Sequence, residues 1–265
     1  MFRDDFPIAW HFHRNTSRWP YNRLRYQPDR RQTPPFKEYL DRTLRALPPP
    51  QLPHAPLSAL LTQRRSCRRF AARDLSVADL SALLHAAYGA LGVIELGPLE
   101  QVSRPVPSGG GLYPLEIYAM VLRSSELSPG IYHFNPLHHG LEEITAGSPP
   151  PVFTTELFMN QPYVTEASCL FVTTAVIGRS MWKYEDRGYR YILFEAGHVA
   201  QNIALSASAL GLGALHLGGF FDLDLADLLE LDVNTEVPLY VTAVGAPETD
   251  DPSEVREPRG GFGPI

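Results

Sequence analysis

Cysteine is scarce in this chain: Cys67 and Cys169 are the only two among 265 residues. Two cysteines so far apart form neither a disulfide framework nor a cysteine-based metal cage. No run of 18 apolar residues occurs, and no apolar stretch follows the N-terminus. Neither a membrane-spanning helix nor a secretion signal is therefore expected, and the cytoplasm is the expected location. Positive charge is not in excess: 23 Lys and Arg against 29 Asp and Glu leave a net charge of -6. That argues against general nucleic-acid binding, which needs a basic face. His11, His13 and the His138-His139 pair lack partners at ligand spacing, so no metal is expected. The glycine spacings of the dinucleotide fingerprint and of the Walker loop are absent as well. Ser180-Met181-Trp182-Lys183 fits the acyl-enzyme pattern S-x-x-K, but the companion motifs S-D-N and K-T-G are missing. No internal repeat is visible.

What is present is an ordinary hydrophobic share, 44%, sufficient for a substantial core. Residues 1–56 read as an irregular arm rich in Arg, Pro and aromatics, closed by the strap Leu47-Pro48-Pro49-Pro50-Gln51-Leu52-Pro53. A short helix is expected over Phe36–Leu47. Between residues 1 and 45 ten basic residues face five acidic ones. Such an arm can bind RNA or an acidic partner, or it can lie solvated or wrap a second subunit.

Residues 57–265 form the expected main domain. Ser76 with Asp79 three residues on reads as an N-cap, and Leu80, Leu83, Leu84, Ala87 and Tyr88 follow at helical spacing until Gly89. Leu115–Leu122, Gly130–Phe134, Ala167–Ile177 and Leu239–Val244 read as strands, and Phe153–Phe158 and Asp224–Leu231 as short helices. Tyr189–Leu210 reads as a long helix, apolar on several faces, as in the middle of a domain or across a dimer interface. Mixed elements without strict βαβ alternation favour an α+β domain.

Three clusters carry chemistry. Pro107-Ser108-Gly109-Gly110-Gly111-Leu112-Tyr113-Pro114 offers a backbone without side-chain walls, against which a flat or charged ligand can lie. Two prolines and a following strand make it stiffer than a linker. In Arg64-Arg65-Ser66-Cys67-Arg68, alternate residues of an extended segment face one side, where Arg64, Ser66 and Arg68 suit a phosphate. A solvated basic turn remains the alternative. Lys183-Tyr184 could move a proton if the ammonium lowers the tyrosine's pKa of about 10. A surface lysine beside a packing tyrosine is the other reading. Gly218-Gly219 either brings N–H groups to a ligand edge or simply ends a strand. His198, Gln201 and Asn202 read as hydrogen-bonded core residues of the long helix.

In this order, together with Leu217-Gly218-Gly219-Phe220 and Val244-Gly245-Ala246-Pro247, these motifs resemble the flavin-dependent nitroreductase superfamily over about residues 57–260. The glycine loop, Tyr189-Arg190 and Gly197-His198…Gln201-Asn202 are most similar to the SagB-type azoline dehydrogenases, which oxidise thiazolines and oxazolines in ribosomally made peptides. Phe12-His13-Arg14-Asn15-Thr16-Ser17 resembles their N-terminal arm. The resemblance implies a nitroreductase-like FMN-binding α+β fold: a central, mainly antiparallel sheet flanked by helices, with the long helix at a homodimer interface. It implies FMN, with Arg64, Ser66 and Arg68 at its phosphate and ribityl chain and Arg65 counted among the cofactor contacts. Pro107, Ser108, Gly109 and Gly110 would reach the ring from the neighbouring subunit. Gly218 and Gly219 would lie near the reactive edge, and Arg256 would return to the phosphate. Lys183 and Tyr184 coincide with the pair needed for azoline oxidation: the flavin accepts the hydride equivalent while Tyr184, aided by Lys183, takes or relays the proton. An azoline-containing peptide and a cyclodehydratase are the implied partners. The alternatives are an NAD(P)H-dependent nitro or quinone reductase, and a catalytically silent FMN-binding scaffold within a peptide-modifying complex.

Overall fold

The structure, a computed structural model, describes residues 2–17, 33–96, 99–147, 149 and 151–248. Helices α1 (Phe2–Asp5) and α2 (Pro7–Asn15) open the chain, followed by strand β1 (Leu44–Ala46) and helices α3 (Leu57–Gln63) and α4 (Val77–Tyr88). Strands β2 (Gly92–Leu96) and β3 (Leu99–Ser103) form a separate hairpin. Then come β4 (Leu115–Val121), β5 (Gly130–Asn135), β6 (Gly140–Ala146), α5 (Pro151–Leu157), α6 (Tyr163–Glu166) and β7 (Cys169–Val176). The chain continues through α7 (Gly178–Tyr184), α8 (Asp186–Ala209), β8 (Gly213–Leu217), α9 (Asp222–Leu228) and β9 (Glu236–Gly245).

Seven strands make one sheet in the order β1-β6-β5-β4-β7-β9-β8, with every pairing antiparallel. Both faces are covered. From β4, Leu115, Ile117, Ala119 and Val121 join the layer holding α4 and α8, while Tyr118 and Met120 turn to the layer holding α5, α6 and α9. β4 and β7 are therefore continuously apolar: side chains alternate between faces, and each face meets helices. The expected strands and the α+β class hold.

α4 shows why local signals suffice in places. The Asp79 N–H donates to Ser76 Oγ at 3.0 Å, satisfying one of the free donors of the first turn. Leu80, Leu83 and Leu84 are fully buried, each contributing roughly 1.5–3 kcal/mol of apolar burial.

The N-terminal expectations need correction. The expected helix over Phe36–Leu47 is absent; instead β1 joins β6 at the sheet edge. Phe36–Tyr39 crosses the sheet, held by side chains. Lys37 Nζ donates to Glu236 and to Tyr118 Oη at 2.7 and 2.6 Å, and Tyr39 Oη meets Tyr118 Oη at 3.0 Å. These polar anchors override weak helical spacing. Nor is the arm irregular throughout, since α1 and α2 lie within it.

Candidate active site

The glycine loop enters from buried Arg104 and Val106 and leaves into β4. Ser108 Oγ accepts from the Tyr113 N–H at 2.9 Å, and the Gly111 N–H donates to the Ser108 carbonyl at 3.1 Å, closing the turn on itself. Gly110 has φ +67°, a conformation that side-chain-bearing residues rarely adopt. A Cβ there would collide with Tyr184 Oη and lie 2.7 Å from Lys183 Nζ. A Cβ at Gly109 would stand 3.2 Å from the Tyr191 ring. The loop and the Lys-Tyr pair, 73 residues apart by their numbers, are thus in contact.

Lys183 and Tyr184 end α7. Tyr184 is half-buried, edge-on to Tyr191 of α8 with ring centroids 4.8 Å apart. Lys183 is exposed, its Nζ 5.4 Å from the Tyr184 ring. Immediately after them Glu185 takes φ +51°, an unfavourable backbone state for a non-glycine residue and one that clusters at functional sites. A polar cleft of about 200 Å³ opens here, lined by Asn15, Thr16, Ser17, Tyr184, Glu185 and Arg187 among others. Its outer wall is the end of α2. Arg190 donates to Thr16 Oγ1 and to the His13 carbonyl at 2.5 and 2.7 Å, and Arg187 donates to the Thr16 carbonyl at 2.8 Å.

Beneath the loop lies a buried group that spacing did not single out. Tyr88 O–H donates to Glu195 Oε1 at 2.5 Å and accepts from the Leu115 N–H at 3.1 Å. The Arg104 guanidinium stacks 4.2 Å from the Tyr88 ring and donates to the Tyr88 carbonyl at 2.7 Å. Burial drives the Glu195 carboxyl up to about 7, against the pull of hydrogen bonds from Ser108 and Tyr88 and of nearby Arg104. One signal was available. Glu195 falls on the same stripe as Ile192, Ala196 and Val199, where a carboxylate must be paired.

The basic segment sits elsewhere. Ser66 bridges Ala214 of β8 in parallel, and the Cys67 N–H donates to the Ala214 carbonyl at 3.0 Å, so residues 64–68 flank the sheet edge. Cys67 points into the core, where a Cβ on Gly213 would come within 2.5 Å of its Sγ. Arg64 stands close enough to His216 to help hold that imidazole below its usual range, after the larger effect of burial. Arg65 donates to the carbonyls of Thr62 and Arg64 at 2.6 and 2.8 Å, capping the end of α3. At the far end of β8, Gly218 is exposed and a Cβ on it would meet nothing within 4 Å. Gly219 is backed by Gln161 and Met159, and its carbonyl accepts from Gln161 Nε2 at 3.3 Å. Arg256 lies outside the described residues.

These clusters lie apart within one chain. The glycine loop meets α8 at Tyr191, whereas residue 66 meets the strand that follows α8; helix rise alone separates them by on the order of 20 Å. Two expectations about α8 are corrected: Gln201 is exposed rather than in the core, and so is His198. They share an open face with Leu193 (41% exposed), Phe194 (58%) and Gly197. Asn202 is half-buried and donates to the Ala86 carbonyl at 3.0 Å, as expected of a helix-packing residue. Among the described residues no cluster of His, Cys, Asp and Glu could hold a metal, and no helix is long and apolar enough to cross a membrane.

Comparison with known proteins agrees with this architecture. A nitroreductase-family protein of Methanocaldococcus jannaschii is 33% identical over 74% of this chain and 93% of its own length. The microcin B17-processing protein of Escherichia coli is 30% identical over 54% of each chain. The crystal structure of a nitroreductase-family protein from Anabaena variabilis superposes with a TM-score of 0.72 at 31% identity, covering 89% of this chain and 46% of that one. The chain thus spans nearly all of the archaeal relative but about half the length of the other two. With residues 61–246 matching the family as a whole, this chain belongs to the nitroreductase family.

Proposed function

We propose that this protein is an FMN-dependent dehydrogenase that oxidises thiazoline or oxazoline rings in a ribosomally made peptide to thiazoles or oxazoles. The observation that carries the reading is the contact of Gly110 with Lys183 and Tyr184: a wall-less backbone facing a phenol and an amine. The similarity to a microcin-processing protein supports a peptide substrate.

The residues fit the cofactor. Arg64, Ser66 and Arg68 on the sheet edge supply the charged and hydroxyl donors that a phosphate takes, and Gly218 leaves an open backbone face at the other end of β8. FMN, when bound, supplies the hydride-accepting centre. The chain supplies the rest. Aromatising an azoline removes a proton from one ring carbon and a hydride equivalent from the other. Tyr184 Oη takes or relays the proton, with the Lys183 Nζ 5.4 Å from its ring to aid the transfer. The polar cleft beside Tyr184 receives the peptide flanking the ring.

The working unit in this reading is a homodimer. The exposed face of α8 meets its copy, so that the glycine loop of one subunit reaches the β8 edge of the other and the half-sites combine. Azolines arise by cyclodehydration of Cys, Ser or Thr residues, so a cyclodehydratase must act first, and the dimer works beside it.

Purified protein should be yellow and should remove H2 from each azoline ring of a cyclised peptide, read by mass. Tyr184→Phe and Lys183→Ala should stay folded and yellow yet lose turnover by about 100-fold or more. Full activity in both variants refutes the assignment. Rapid bleaching by NAD(P)H, without azoline oxidation, favours a general flavin reductase.

A further inference from the structure

Glu195 does more than fill the space beneath the loop. Its Oε1 accepts from Tyr88, but Oε2 is fully buried and has no hydrogen bond of ordinary geometry. An orphaned carboxylate oxygen in a core is costly, so its neighbours matter. Ser108 is the neighbour positioned to serve it. Ser108 Oγ already accepts from the Tyr113 N–H, which leaves its own proton to donate, and it is among the groups that favour the ionised carboxylate. Tyr88 is fixed in turn by the Leu115 N–H at the start of β4 and by the Arg104 guanidinium stacked on its ring. Both ends of the loop, Ser108 and Leu115, are therefore tied to one carboxyl group.

We propose that Glu195 is the positioning residue of the glycine loop: its carboxylate, accepting from Tyr88 and Ser108 together, holds Gly109 and Gly110 against Tyr191, Lys183 and Tyr184. Uptake of a proton converts one carboxyl oxygen into a donor and releases the Ser108 side of that hold. The groups facing Glu195 are Tyr88 from α4, Arg104 from the segment before the loop, and Ser108 from the loop itself. On α8, Tyr191 lies one turn before it and exposed His198 one turn after. Lys183 of α7 stands across the loop, against Gly110. Because burial lifts the carboxyl to about 7, the proton is exchanged near neutral pH. Any effect on turnover rests on the active-site reading above; the hold on the loop does not.

Hydrogen exchange of the full-length protein, followed by mass spectrometry from pH 6 to 8 and corrected for intrinsic rates, tests this directly. In the wild type, protection of the peptide covering residues 107–115 should rise several-fold with pH, with a midpoint near 7. Glu195→Gln should abolish that step while a peptide from β7 keeps its protection. Ser108→Ala should abolish it too, and carries the test should Glu195→Gln not fold. A pH-independent loop in the wild type, or an unchanged step in either folded variant, overturns the proposal. A step in loop protection with no matching step in azoline turnover leaves it standing and counts against the active-site reading instead.

Discussion

At Gly110 one hydrogen atom decides whether two clusters can meet. A methyl group there would strike Tyr184 Oη and crowd Lys183 Nζ, and φ +67° penalises any side chain. Gly110→Ala should therefore lower turnover at least ~10-fold, a barrier change of about 1.4 kcal/mol, and the backbone strain should cost about 1 kcal/mol of stability. A variant as active as the wild type would show that the loop does not need this approach. Glu195 makes a thermodynamic prediction with a definite sign. Its folded-state value is raised from 4.5 to about 7, so the folded protein holds a proton that the unfolded chain has lost. The stabilisation is fully present below about pH 4.5, fades as pH rises to about 7, and is level beyond, a change of about 3 kcal/mol. Urea unfolding of Glu195→Gln should lack this decline. The glycines, the Lys-Tyr pair and the arginines were all legible as candidates from residue type and spacing. Glu195, Tyr88 and Arg104 were not, because a buried polar group acquires meaning only from the partners that packing brings to it.

Elements were legible where their signals are local. α4 was readable from Ser76, Asp79 and a 3.6-residue apolar period, and its cap is present at 3.0 Å. Ser76→Ala should cost about 1 kcal/mol, measured by denaturant unfolding. An unchanged midpoint would mean that Glu126, which accepts from the Val77 N–H at 2.7 Å, caps the helix alone. β4 and β7 were readable as apolar runs. β6 was not, because Glu142 and Glu143 interrupt its pattern. Glu142 is buried nonetheless, paired with His133 Nδ1 at 2.7 Å across the neighbouring strand. Burial alone would lower the His133 value, but hydrogen bonds to Glu116 and Glu142 prevail and raise it. β1 and the segment before it failed for a related reason. Lys37, Tyr39 and Arg42 bind residues far away in sequence, and no local period encodes those contacts.

At the scale of the molecule, the exposed face of α8 is the feature a single chain leaves unexplained. Leu193 and Phe194 project to solvent from the helix that also holds Glu195 in the core. In a homodimer they are covered. Phe194→Glu should then shift the protein from dimer to monomer by light scattering, retain its circular dichroism, and weaken retention of FMN, since each site of the proposed dimer would draw on two chains. A wild-type monomer with tightly bound FMN would contradict this arrangement. The apolar breadth of α8 was visible in its residues, but the period of a helix does not say whether a given face meets its own chain or another.

By itself, then, the order of residues determined the α+β class, the interior strands and the two principal helices, and it named the candidate site residues. These follow from short-range preferences: caps, side-chain periodicity, and residue types that few chemistries require together. Only the tertiary structure decided which groups share a site. It brought Gly110 onto Lys183 and Tyr184, sent residues 64–68 to the edge beside β8, and buried Glu195 beneath Ser108. Such placements depend on contacts across the sheet and along α8, made between residues far apart in the chain, and no local preference records them.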